Sequence, residues 1–131
     1  MKNETKYLSK LYYDHQAHEL LGVMEREFEK QYPSTKALIE MDSADFISIA
    51  IFDRRLRLMN IYHATEFDCA SSYSTYESIF QDYPRSDKAI QDSIVTKFYL
   101  GFMKKHFEGY EKDYTDYISS CHGVNGVDHT T

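Results

Sequence analysis

Residues 46–64, FISIAIFDRRLRLMNIYHA, decide the fold, because the same letters fit two periodicities. Read as strands, Ile47, Ile49 and Ile51 alternate, Leu56 and Leu58 alternate, and Asp53-Arg54-Arg55 falls where a hairpin turn belongs. Read as a helix, the run follows Asp42-Ser43-Ala44-Asp45, whose short oxygen-bearing side chains suit the cap of a first helical turn. Its helical projection has no clean polar face, and a helix apolar nearly all round is a central, buried one. The helical reading is favoured, and a hairpin at about 46–62 is the alternative.

N-terminal to this run, residues 5–31 lack proline and space their apolar residues as a helix does, stopping before Pro33. Two stripes emerge at 100° per residue: Leu8, Leu11, Tyr12 and His15 on one side, Tyr13, Ala17, Leu20, Leu21, Met24 and Phe28 nearly opposite. A helix with two apolar stripes is sandwiched or bent, and Gly22 is a weak point for a bend. Ser34 or Thr35 is placed to cap a short helix over KALIEM. C-terminal to the run, Ser74-Thr75-Tyr76-Glu77 matches a capping box for a short helix ending before Pro84. Ser86 and Asp87 then cap a run with Ile90, Ile94, Phe98, Gly101 and Phe102 on one stripe. The stripe moves to Phe107, Tyr110, Tyr114, Tyr117 and Ile118 across an expected bend at Gly109, and HGVNGVDHTT reads as a tail. The expected architecture is therefore all-α, a compact bundle of about four to five helices over residues 1–121 with a flexible tail at 122–131; the alternative is α+β.

The chain has 131 residues, 42% of them hydrophobic and 27% charged, which suits one water-folded core. No run of about 18 apolar residues is present to cross a bilayer, and the opening MKNETKYLSK has no secretory h-region, so a cytoplasmic location without membrane contact is expected. Cys69 and Cys121 lie far apart with no C-x-x-C pair, which argues against a zinc ribbon or disulfide framework. The net charge of −6 opposes direct binding to nucleic acid, whose phosphates demand lysine and arginine. The imbalance is local: residues 63–83 carry 4 acids and no base, and residues 109–131 carry 4 acids and 1 base.

Few residues are spaced for catalysis. His15 with Glu19 and Asp14 with His18 are four apart, and His63 with Glu66 three apart, an arrangement of imidazole and carboxylate able to ligate zinc or iron if three or four groups converge. The bland reading is a pair of helix-supporting surface contacts. There is no Gly-x-Ser-x-Gly elbow, Gly-rich phosphate loop or metalloprotease spacing. Arg54, Arg55 and Arg57 form the one basic cluster, too small for a nucleic-acid stripe and better suited to ion pairs within the fold or across a subunit contact.

The tyrosines, 12 in number with no tryptophan, combine apolar area with a polar tip and suit interfaces. Those at 73, 76, 83, 110, 114 and 117 stand near acids and hydroxyls. The leading expectation is a small acidic, non-enzymatic protein-binding or inhibitor protein. Its Glu66, Asp68, Tyr73, Tyr76, Glu77, Asp82 and Tyr83 would engage a basic surface of a partner, such as a nucleic-acid-binding site. In composition and size it resembles immunity proteins and phage-type inhibitors. Two alternatives stand beside it: a metal-binding protein or enzyme using His15, His18 and Glu19, and a helical regulatory adaptor. No cofactor is expected, and the surplus of apolar helix surface suggests a homodimer.

Overall fold

The structure, a computed structural model, describes residues 5–69, 80, 81 and 87–130, the last ten as backbone. Three helical segments open the chain: α1 (Tyr7–Tyr13), α2 (His15–His18) and α3 (Leu20–Gln31). A three-stranded meander follows: β1 (Thr35–Glu40), β2 (Ile47–Asp53) and β3 (Leu58–Ala64), antiparallel in the order β1-β2-β3. Two long helices close it, α4 (Lys88–His106) and α5 (Tyr110–Thr130). The fold is thus α+β, and the all-α bundle is corrected at two places.

The first correction is residues 46–64, which form the hairpin and not a buried helix. Ile47, Ile49 and Ile51 point into the core, and the turn is closed by Asp53. The Asp53 carboxylate accepts hydrogen bonds from the backbone N–H of Arg55 and Arg57, both at 2.9 Å, and from Arg57 Nε at 2.8 Å. These contacts, led by the Arg57 amide, hold its pKa below the ordinary carboxylate value of 3.8. Leu56 takes φ 61°, the left-handed position that ends a three-residue hairpin loop. Beyond the turn the pairing shifts register, Phe52 facing Leu58 while Ile51 faces Asn60, so Met59 is the extra residue of a bulge.

The second correction is KALIEM. Thr35 does not cap a helix: its hydroxyl donates to the Tyr32 carbonyl at 2.8 Å, and β1 then alternates, with Thr35, Ala37 and Ile39 inward and Lys36, Leu38 and Glu40 outward. The expected long N-terminal helix breaks at Asp14 and Glu19, not at Gly22. Asp14 has extended backbone and caps α2 through the amides of Gln16 and Ala17. Asp87 caps α4 as expected, through Ala89 N–H at 2.8 Å. Gly109, at φ 90°, makes the bend into α5, whose backbone stays helical to Thr130, across residues expected as a tail. Of the expected helix after Ser74 only Phe80 and Gln81 are described, both helical, and the cap at Ser86 lies outside the described residues.

The inner face of the sheet meets the helices. α3 lies along β1 and α4 along β3, and Leu8, Leu11, Leu21, Met24, Phe28, Ile94, Val95, Tyr99, Leu100 and Met103 fill the space between. Each such side chain stabilises the fold by roughly 1.5–3 kcal/mol through burial. Phe80 is fully buried and packs edge-on against Phe28 and Tyr32 with centroids 6.4 and 5.2 Å away. α3 also guards the open edge of β1, where Glu29 accepts from Ala37 N–H at 2.9 Å and Glu25 from Ile39 N–H at 2.8 Å. No helix among the described residues is long and apolar enough to cross a membrane.

Candidate protein-binding surface

Residues 65–68, Thr-Glu-Phe-Asp, leave β3 and begin the acidic segment that the sequence singles out. Glu66 is buried, and its carboxylate accepts hydrogen bonds from the backbone N–H groups of Lys6 (2.6 Å), Tyr7 (3.1 and 3.2 Å) and Leu8 (2.9 Å). These are first-turn amides of α1, which has no side-chain cap of its own at Lys6. Asp68 is half-buried and accepts from Thr65 N–H (3.2 Å), Thr65 Oγ1 (3.0 Å) and the Tyr62 hydroxyl (3.1 Å). The backbone of the loop is held as firmly. Tyr99 donates its hydroxyl to the Thr65 carbonyl at 2.9 Å, and Tyr110 donates to the Glu66 carbonyl. Burial is the main force raising both phenols well above their ordinary pKa of 10.0, and it pushes Tyr62 up to about 12, so all three remain donors at neutral pH. Phe67 stacks on Tyr117, centroids 5.3 Å apart, and lies against Tyr110 at 5.2 Å.

Glu66 and Asp68 therefore serve the interior at the junction of α1, β3, α4 and α5. Tyr110 is fully buried there, Tyr114 half-buried and Tyr117 exposed. Tyr73, Tyr76, Glu77, Asp82 and Tyr83 lie outside the described residues. Nothing in the sequence pointed to Glu66 itself; the lysine before Tyr7, where a serine, threonine, asparagine or aspartate is the usual cap, marks only the need for an acceptor from elsewhere.

The histidine set does not assemble. His15 pairs with Glu19 at 3.6 Å on the open surface, and His18 Nδ1 lies 2.9 Å from the Leu11 carbonyl. His63 packs edge-on against Phe46 at 5.2 Å. Among the described residues no three or more histidines, cysteines, aspartates or glutamates are grouped to hold a metal ion. Two open grooves flank the helices. One of about 370 Å³ between α3 and α4 contains Glu27, which faces Lys105 and His106 at 3.4 Å each. The other, of about 710 Å³, runs beside α1 and α2 past Lys6, Lys10 and Asp14.

The exceptional surface is the outer face of the sheet, which sequence reasoning missed. Pairing register lays its side chains in three rows across the strands: Lys36, Phe52 and Leu58; Leu38, Ala50 and Ile61; Glu40, Ser48 and His63. Leu38 is 45% exposed, Leu58 48% and Ile61 43%, with Leu56 at the adjoining turn 65% exposed. Ala50, small and central, is covered by its neighbours. One end of this apolar band carries Lys36, Arg54 and Arg55, all exposed, and the other carries Glu40, Asp42 and Asp45, also exposed. A contiguous apolar patch with a polar rim is how protein contact sites differ from ordinary surface. The chain matches no protein-family model, and no curated protein or solved structure shows significant similarity to it.

Proposed function

We propose that this chain works by binding protein, as a small module of the inhibitor or adaptor kind, and that the outer face of its sheet makes the contact. The observation that carries this reading is the apolar row Leu38, Ala50 and Ile61, which crosses all three strands with no helix over it among the described residues. Exposed leucine and isoleucine at the centre of a sheet cost solubility unless a contact uses them, at about 25 cal/mol for each Å² returned to water. The proposal keeps the expected mode of action and moves its place from the acidic segment to the sheet. Residues 65 and 66 support it indirectly, by tying the end of β3 to α1, α4 and α5 so that the face is held before contact.

A photo-crosslinking residue placed at Ile61 is expected to capture a protein in extract of the source cell, whereas the same residue at Glu111 on α5 is not. Ile61→Lys and Leu38→Lys are expected to lose the captured protein while keeping the wild-type circular dichroism. Capture that survives both substitutions overturns the assignment of the sheet face.

A further inference from the structure

We propose that the occupant of the outer sheet face is a second copy of this chain, turned by a two-fold axis that lies between the two faces and runs across the strands. This rests on reading the face as a contact surface and names what covers it.

The register itself supplies the geometry. The middle row, Leu38, Ala50 and Ile61, lies halfway between the row of Lys36 and the row of Glu40. An axis along that middle row sets Leu38 on Leu38, Ala50 on Ala50 and Ile61 on Ile61 of the two copies. It also sets Lys36 of one copy over Glu40 of the other, twice. The exposed Arg54 and Arg55 at the turn are brought towards the exposed Asp42 and Asp45 of the opposite loop, again twice. An isologous contact requires a self-complementary patch, and this one is complementary in charge as well as apolar at its centre. The other in-plane axis, along the strands, would keep like ends together, with Arg54 and Arg55 beside their own copies and Asp42 and Asp45 beside theirs, and would set Lys36 over Leu58 and Glu40 over His63. Charge therefore selects one arrangement, within the twist of about 30° usual for stacked sheets.

Size sets the strength. With strands about 4.8 Å apart and about 3.3 Å per residue, one strand of six residues and two of seven present roughly 320 Å² in plan. Leu56 and Phe46 widen the face at its ends, yet it remains below the roughly 800 Å² per partner of a standard stable interface. The dimer is therefore reversible, grows with protein concentration and weakens with salt.

Sedimentation velocity on the full chain over a wide concentration range, at low and high salt, reads this directly. The mass is expected to rise from 15.5 kDa towards twice that value, with less dimer at high salt. A variant with its basic end reversed (Lys36→Glu, Arg54→Glu, Arg55→Glu) and one with its acidic end reversed (Glu40→Lys, Asp42→Lys, Asp45→Lys) are each expected to self-associate at least about tenfold more weakly, since like charges then face each other. Mixed in equal amounts, the two variants are expected to associate again, which also shows that both are folded. Should either triple variant lack wild-type circular dichroism, Lys36→Glu and Glu40→Lys form the same complementary pair. A wild-type chain monomeric at every concentration overturns the proposal, as does a dimer indifferent to either reversal, or a mixture that stays monomeric. If the chain is monomeric but Ile61→Lys still loses a captured protein, the second copy is overturned and the contact face stands. If capture also survives, both readings fall.

Discussion

The Glu25 carboxylate accepts the backbone N–H of Ile39 at 2.8 Å, so a side chain from α3 occupies the place where a neighbouring strand would bond. Glu29 does the same for Ala37 at 2.9 Å. Unpaired amides along an edge strand are templates for pairing with other chains. Glu25→Ala with Glu29→Ala is expected to cost about 1–3 kcal/mol for each orphaned amide and to raise light scattering on incubation at elevated protein concentration. A double variant with unchanged urea midpoint and clear solutions would show that the glutamates do not guard the edge.

Glu66→Ala is expected to be among the most damaging single changes. It strips a buried carboxylate from three amides at the start of α1 and should lower unfolding free energy by about 2–4 kcal/mol in urea titrations. Glu66→Gln should recover part of that loss, because the amide oxygen still accepts whereas its NH₂ does not. Hydrogen exchange at Leu8 is expected to accelerate in both, and full protection at Leu8 in Glu66→Ala would refute the cap.

Leu56 holds φ 61° at an exposed turn, a conformation that glycine adopts without the steric penalty of a Cβ. Leu56→Gly is expected to stabilise the protein by about 0.5–1 kcal/mol, while Leu56→Ala keeps the penalty and gains nothing. Thermal unfolding of the two variants side by side separates these outcomes.

Acid should act on Asp53 and Asp113. The Asp113 carboxyl is lowered mainly by the hydrogen bond from the Tyr7 hydroxyl, as Asp53 is by the amide of Arg57. A folded-state pKa below the unfolded value means that the stabilisation is fully present above the ordinary value of 3.8 and is lost as pH falls through the folded value. Urea midpoints are expected to fall as the pH drops below 3.8, and less steeply once Asp53→Asn and Asp113→Asn are combined. Equal slopes in variant and wild type would remove both groups from the acid response.

The sequence showed the alternation of Ile47, Ile49 and Ile51, and it placed a turn at Asp53. What hid the hairpin was the other parity. Ala50, Phe52, Leu58 and Ile61 face outward but are apolar, so the polar side of a half-buried strand was missing and the run looked like a helix buried all round. The property that disguised the fold is the one that makes the sheet a contact face. β1 was disguised differently, since Ser34 and Thr35 mimic a helix cap and six residues are too few for a period to assert itself. Asp87 and Gly109 were readable because their effects are local. Glu66 and Asp68 were not, because which amides a carboxylate meets across the chain is a property of the packing.

The cap on α1 sets an order of events during synthesis. Seven residues of helix are too few to persist unaided in water, and the group that satisfies their first amides lies 58 residues downstream of Leu8. A growing chain exposes Tyr7, Leu8 and Leu11 at the ribosome well before Glu66 exists to fix them. That segment is therefore made long before it can lock, and Tyr7 waits longer still, for Phe107, Tyr110 and Asp113.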